Sequence, residues 1–552
     1  MTVNPPLPGP RVSDAAHPFD KPSADIILRS SDLVDFRVYS QILIAASPFF
    51  EGLFLVPQPP DEEQPRNYGL PIIEVSEDSE TLDYLLRLCY PVKKPQVVAL
   101  EVIEPILRAA MKYEMELADT LLTKILVDNL AYQYPLEVWA IGCRLRREDI
   151  ASVGGERLAR TYATPGGNRS FLHSLERSIS DLEGVTAGQL FRVFHYTGCS
   201  LEGIGTPDFR FIDPPPTANV VGYLEEDFPS TSPLHTFADI SSVDVSCRSS
   251  DGVVFHAHQA VLGAASSVLR TKVAQLATGA IGESGELESQ RSRPSNLESP
   301  LPVLQFEETS QVLPHLLSCC YPGLIPSSLS NLPQLVTLIS AAARHDIALA
   351  RPALLIQWSK VASTNPLRAY FIAIQAGDTT CAKEAARHVL RGPITGVYMC
   401  EMESSPALAY QRLLSYYQSC KDLAQRDLMG KISLHLESTS PTPFDKTGPL
   451  GRKNLKGRRP ASPPAGNRCV EEPWIQTYTK NLWTSLEHQP DPSLLPTVEQ
   501  LFIASTSGDN RPWCRSCRDV ASALIERSDE FKALRDAMEK VIFTGGEEDI
   551  KE

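Results

Sequence analysis

One stretch of this chain occurs twice. Ser23 to Ser47 reads SADIILRSSDLVDFRVYSQILIAAS, and Ser242 to Ser266 reads SVDVSCRSSDGVVFHAHQAVLGAAS. At an offset of 219 residues, with no gap, Asp25/Asp244, Arg29/Arg248, Asp32/Asp251, Phe36/Phe255, Leu43/Leu262, Ala45/Ala264, Ala46/Ala265 and Ser47/Ser266 coincide. At an offset of 231 the match resumes. Pro71 to Val75 lies over Pro302 to Phe306, and Leu85-Leu86-x-x-Cys89-Tyr90-Pro91 lies over Leu316-Leu317-x-x-Cys320-Tyr321-Pro322. The change of offset is an insertion that falls in GAIGESGELESQRSRPSN, whose Gly, Ser and Glu content is that of a surface loop. Fainter matches follow at Ala109-Ala110 over Ala341-Ala342, Tyr134-Pro135-Leu136 over Asn365-Pro366-Leu367, and Tyr196-x-x-Cys199 over Tyr417-x-x-Cys420. A unit of about 200 residues is too long for a solenoid repeat, so the chain is read as a duplicated domain.

Composition bounds what such a duplication is for. With 67 acidic against 52 basic residues and a net charge of -15, the chain is not expected to bind nucleic acid, because that affinity rests on clustered positive charge. The 12 cysteines are scattered over predicted helices and strands, a usage that suits reduced thiols in the cytoplasm and/or nucleus, with no disulfides expected. The first residues lack a charged-then-apolar leader pattern, and charge interrupts the most apolar windows, Ile42 to Val56 and Leu335 to Ala350. No membrane span is predicted.

In chain order, residues 1–22 hold six prolines and read as a disordered or extended lead-in. Asp25 to Arg29 and Asp35 to Tyr39 have strand patterns around the turn Ser30 to Val34, a hairpin. Ser40 to Ala46 reads as a buried helix, and Ser47-Pro48 as the cap and first turn of the next, Phe49 to Leu53. Burial of Phe49, Phe50 and Phe54 is expected, worth roughly 1.5 to 3 kcal/mol each. A Pro-rich loop from Pro57 to Arg66 leads to a strand at Ile72 to Val75 and a helix from Ser79 to Leu88, ended by Tyr90-Pro91. From Val97 to Tyr113 and from Leu117 to Leu130, apolar residues recur at three and four, with helices continuing toward Leu145 and Leu158. The expected domains are 23–116 with a helical extension 117–204, a Pro-rich linker 205–236, and 237–348 with an extension 349–436. A low-complexity linker 437–473 and a helical tail 474–546 complete the chain. In the tail, Val520, Leu524, Phe531, Leu534, Met538 and Val541 form a helical stripe closed by Gly545-Gly546. The fold class is α+β, mainly helical: two small sheets packed with helices, each trailed by a helical arm, plus the tail.

The repeated residues form a recognisable pattern. It comprises a leading acid (Asp25, Asp244), Phe-x-x-Tyr/His in the second strand (Phe36 and Tyr39; Phe255 and His258), Leu followed by Ser (Leu43 and Ser47; Leu262 and Ser266) and a closing Tyr-Pro (Tyr90-Pro91; Tyr321-Pro322). This pattern resembles the BTB/POZ domain, present twice, and the helical extensions and tail are more loosely similar to those of fungal BTB-domain proteins. The resemblance implies a non-enzymatic module for dimerisation and adaptor work through protein partners. Some relatives of that kind dock cullin-type ubiquitin-ligase scaffolds, and others bind transcriptional partners. It also implies that the residue at Tyr39/His258 bonds within the fold, with Asp25 and Asp244 as expected partners. Two departures stand out. Dimeric transcription-factor members place an Arg after the motif His, where this chain has Ser40 and Gln259, and the long helix before the leading Asp has no counterpart in residues 1–22 or Pro229 to Ile240. Pairing of the two copies inside one chain is therefore expected over obligate swapped homodimers, with an interface of roughly 1,200 to 2,000 Å².

Few residues suggest other chemistry. Cys514-Arg-Ser-Cys517 has the spacing of half a tetrahedral zinc site, and Arg515 and Arg518 would lower a thiol pKa, but Cys469 and His488 are the only nearby further ligands and lack a standard spacing. Zinc or thiol chemistry in the tail is the alternative to a merely packed or exposed pair. His256-x-His258 supplies two potential ligands on a strand, too few for a metal site. Asp445-Lys-Thr-Gly, in a Pro-rich linker, is read as a coincidental likeness to an ATPase loop. The basic run Arg452, Lys453, Lys456, Arg458 and Arg459 is read as solvated linker, with nuclear import as the alternative. No P-loop, dinucleotide turn, nucleophile elbow or zincin helix is present, so no catalytic residue and no cofactor beyond that zinc is expected. The loops Val56 to Gly69 and Gly279 to Ser299 differ most between copies and are the expected copy-specific contacts.

Overall fold

The computed structural model describes residues 12–56, 66–94, 99–164, 167–201, 209–214, 243–279, 301–326 and 329–423, with a few positions between 481 and 536. The chain divides into two compact units, Met1–Val185 with Arg192–Pro216, and Thr186–Phe191 with Thr217–Glu552.

The first half runs β1 (Ser13–Asp14), β2 (Ile26–Arg29), β3 (Val34–Val38), α1 (Ser40–Ala46), α2 (Pro48–Leu55), β4 (Arg66–Asn67), β5 (Leu70–Glu74), α3 (Ser79–Cys89) and α4 (Leu100–Lys112). The helical arm follows as α5 (Glu116–Lys124), a π-helical turn (Ile125–Leu130), α6 (Pro135–Arg144), α7 (Glu148–Tyr162), α8 (Gly167–Arg177) and α9 (Ala187–Leu201). The five strands lie in the order β1-β3-β2-β5-β4, with β2 antiparallel to β3 and parallel to β5. The central strand's run Ile26-Ile27-Leu28 is buried throughout, which explains its unbroken apolar sequence. Helices α1 to α5 close the core over Leu28, Phe36, Leu43, Phe50, Leu86 and Ile106.

In the second half come β6 (Val245–Arg248), β7 (Val254–Ala257), α10 (Gln259–Ala265), α11 (Ser267–Gly279), β8 (Val303–Gln305), α12 (Leu313–Cys320) and α13 (Leu332–Arg344). They lead into α14 (Arg351–Ala362), α15 (Pro366–Gln375), α16 (Thr379–Val389) and α17 (Ala407–Leu423). The sheet order β7-β6-β8 repeats the central β3-β2-β5. Register repeats too: Ile26 faces Val38 as Val245 faces Ala257, and Ile27 faces Ile72 as Ser246 faces Val303. A one-residue slip would turn every side chain to the wrong face, so equal register means an equal core pattern.

The structure corrects several expectations. Residues 12–22 are ordered: β1 pairs in parallel with β3, and the Phe19 ring is fully buried, 5.6 Å from Phe36 and 5.2 Å from Tyr90. Two-residue pairing has no periodicity that a sequence pattern could reveal. Of the three phenylalanines expected in the core, only Phe50 is buried, while Phe49 is 39% exposed, because it lies on the face of α2 that carries Glu51 and Gly52 outward rather than on the face of Phe50. The expected linker begins with a docked strap. Phe211 and Ile212 are buried, Arg192 donates to both their carbonyls at 2.8 and 2.5 Å, and the Glu148 carboxylate accepts both their N–H groups at 2.7 and 3.1 Å. Residues 57–65 and 280–300, the basic run, Asp445, the helical stripe from Val520 to Val541 and the cysteines of the tail lie outside the described residues.

Candidate functional site

The motif residues converge on the end of the hairpin and the helix that follows it, and they do so twice. The Asp25 carboxylate accepts the Ser40 N–H at 2.7 Å and the Ser40 hydroxyl at 2.5 Å, closing the start of α1. At the start of α10, the Asp244 carboxylate accepts the Gln259 N–H at 2.7 Å. Ser40 and Gln259, which stand where an arginine was the family's expected choice, therefore bond locally to the leading acid. The Tyr90 hydroxyl accepts the Tyr39 N–H at 2.9 Å, and the Tyr321 hydroxyl accepts the His258 N–H at 3.2 Å. Burial pushes the Tyr90 phenol up to about 12, so it stays a neutral hook.

The ring partners differ from expectation. Tyr39 pairs through its hydroxyl with Ser23 at 2.6 Å, and the His258 ring pairs with the Tyr321 hydroxyl at 2.9 Å, while the two aspartates are taken up by backbone N–H groups. A hydroxyl on the buried edge serves the imidazole without setting a carboxylate in an apolar surround. Ser47 and Ser266 are both buried. Ser47 accepts the Phe50 N–H at 3.1 Å and donates to the Tyr113 carbonyl at 2.5 Å; Ser266 accepts the Leu269 N–H at 2.9 Å and donates to the His345 carbonyl. Asp32 accepts the N–H and hydroxyl of Ser79, as Asp251 does those of Ser310. Leu43 and Leu262 are fully buried, Phe36 is buried and Phe255 half-buried, and Pro91 and Pro322 are exposed.

Sequence reasoning missed two charged clusters beneath this frame. In the first half, Asp35 is fully buried and held by both arms of Arg29, at 2.7 and 3.0 Å, and by the Asn67 amide at 2.7 Å. Burial opposes its charge, yet these bonds outweigh it and hold the carboxyl below the ordinary aspartate range. Val254 stands at the equivalent place in the second half, so the pair is not repeated. The other cluster is shared in position but not in chemistry. Glu77 takes the Tyr113 hydroxyl and Lys112, at 2.8 Å for the latter, whereas Glu308 takes His345 at 3.1 Å and Arg344 at 3.2 Å. For both carboxyls burial is the largest influence and raises the pKa, but the bonds from these partners hold them below the usual glutamate range.

Cys89, Cys143, Cys247, Cys319, Cys320, Cys381, Cys400 and Cys420 are free thiols; burial pushes Cys247, Cys319 and Cys320 up to about 12. No group of three His, Cys, Asp or Glu side chains among the described residues has the geometry to hold a metal. His256 is exposed, with Ser246 as a neighbour at 3.4 Å. No described helix is long and apolar enough to cross a membrane.

Residues 19–130 match the BTB/POZ domain family. The match begins at the buried Phe19 and ends with the π-helical turn, so it takes in the ordered strap that the expected boundary of 23 left out and extends beyond 116. A BTB/POZ domain is a module of protein–protein interaction and dimerisation. Over residues 19–130, Asp25, Tyr39, Ser47 and Tyr90 lock the hairpin to its helices. Leu55 and Val56, at the end of α2, are 79% and 58% exposed. No curated protein matches the chain.

Proposed function

We propose that the second half is also a BTB/POZ domain and that the chain is a non-enzymatic interaction scaffold built on the tandem pair. The observation that carries this reading is the repeated bonding frame: the leading acid on the first helix turn, the Tyr hydroxyl on the residue before it, and the Ser hydroxyl on the carbonyl ending α4 or α13. Such a frame is a scaffold with no reactive group in it. The two copies pair, within one chain or across two, and the absent arginine favours pairing within the chain. Light scattering of the full chain tests this. A mass near 60.8 kDa, with cross-links joining the two halves, supports internal pairing; a dimer mass with cross-links only between chains supports a homodimer. A monomer without cross-links between halves overturns both.

The specific role as substrate adaptor of a cullin-type ubiquitin ligase is the narrower form of this reading, tested by co-purification of a cullin with the full chain. The scaffold works in the cytoplasm and/or nucleus, with Arg452 to Arg459 as the run to delete in a test of import. For Cys514 and Cys517, zinc is the alternative to a plain thiol pair. Metal analysis of purified protein, with Cys514→Ser as control, separates the two.

A further inference from the structure

Away from the duplicated frame, one cleft gathers charge of the sign that the chain as a whole lacks. It lies between α14 and α16, has a volume of about 680 Å³, and is lined by four cations, Lys360, Lys383, Arg387 and Arg391, against one carboxylate, Glu384, in a chain of net charge -15. The last three recur every four residues, which stacks them along one helix face. Arg387 is 2.9 Å from Glu384 of its own helix, whereas Lys360 and Lys383 have no carboxylate at ion-pair distance among the described residues. Arg391 is already paired: the Asp491 carboxylate, 100 residues downstream and 11% exposed, sits 3.2 Å from its guanidinium.

The wall of the cleft is mixed. His388 is 8% exposed, with Nε2 at 2.9 Å from the Ser359 hydroxyl and Nδ1 buried without a partner. Beside Lys360, Ile356 is 72% exposed. At the equivalent places 231 residues earlier the first half has Asn129, Ser152 and Glu156 for Lys360, Lys383 and Arg387. The duplicated fold therefore does not require this basic cleft.

We propose that the cleft is a docking groove for an acidic peptide segment of a partner protein. Its carboxylates meet Lys360, Lys383 and Arg387, and one apolar side chain covers Ile356. A small inorganic anion would leave Ile356 in water, whereas a peptide satisfies charge and apolar surface together. The proposal deepens the scaffold reading by naming a partner class, but it rests on the helical arm, so domain pairing can fail while the groove binds, and the reverse.

The test is fluorescence anisotropy of the full chain with a fluorescein-labelled peptide of glutamates interrupted by a single leucine. The same peptide with glutamine for glutamate, and free inorganic phosphate as competitor, are the controls. Saturable binding is expected, weakened about tenfold by Lys383→Glu and by Lys360→Glu, weakened by Ile356→Ser, and falling as salt shortens the screening length. Lys360 is exposed and Lys383 half-buried, and circular dichroism checks that each variant folds, with Lys360→Gln as the milder substitute. Equal binding of the glutamine peptide, unchanged binding by the lysine variants, displacement by phosphate at the peptide's own concentration, or no saturable binding would each overturn the proposal.

Discussion

Ser47 performs two tasks with one hydroxyl, and neither can be done by an apolar side chain. It accepts the Phe50 N–H to start α2 and donates to the Tyr113 carbonyl to tie that helix to the end of α4. Ser47→Ala leaves a buried carbonyl unmet as well as an uncapped helix, and is expected to cost about 2 kcal/mol in urea unfolding. A loss below about 0.5 kcal/mol, the level of an ordinary surface change, would show that the bond contributes nothing. Asp35 carries the clearest pH dependence. Its folded pKa lies below the ordinary aspartate value of 3.8, so its stabilisation is complete above that value and is lost as pH falls through the lower folded one. The unfolding midpoint is expected to hold between about pH 7 and pH 5 and to fall below about pH 4, and Asp35→Asn should be about 3 kcal/mol less stable at neutral pH with a shallower acid decline. An acid decline as steep as that of the parent chain would remove Asp35 from the account. The motif letters Asp25, Ser47 and Tyr90 were legible in the sequence because each bonds to backbone nearby or at a helix end. Asp35 was not, because its burial depends on Asn67 arriving from a different strand.

Among the elements, the helical arms differ from the sheets in how they were readable. The strands were readable from short apolar runs and from the repeat, but the pairing of α6 with α7 depends on glycines whose role has no periodicity. A Cβ on Gly154 would fall 2.5 Å from the backbone nitrogen of Trp139, and one on Gly142 would fall 2.4 Å from that of Ala151. Gly154→Ala must therefore push the helices apart, at a cost of about 1 to 3 kcal/mol, read as a lowered thermal midpoint. An unchanged midpoint would mean that the two helices do not pack this closely. The end of α6 predicts the opposite sign for another change. Arg146 has a φ of 54°, and the matching residue after α15 is Gly377, with a φ of 71°. There Arg147 N–H reaches the Gly142 carbonyl and Asp378 N–H the Ala373 carbonyl, the same helix-ending bond. Because glycine enters the left-handed region without strain, Arg146→Gly is expected to stabilise the chain by up to about 1 kcal/mol, with loss of stability as the contrary outcome.

For the whole molecule, the distribution of thiols offers a test that depends on both units at once. Cys143, Cys247, Cys319, Cys320, Cys381 and Cys420 are buried, and Cys400 is the exposed member of the described set. Among these seven positions, alkylation of the native protein followed by peptide mapping is expected to mark Cys400 first and the buried six only on unfolding. Early labelling of Cys247 or Cys320 would mean that the second core is open. The sequence by itself determined the two matching stretches and the order of strands and helices around them, because these are written in short-range patterns. Tertiary structure decided the rest. It brought Val12 to Phe19 onto the first sheet, turned Phe49 outward, docked Phe211 on the arm, buried Asp35 against Arg29, and set Lys360 across from Lys383. Each of these depends on which distant surface meets a residue, and so on packing that no periodicity of a single chain segment records.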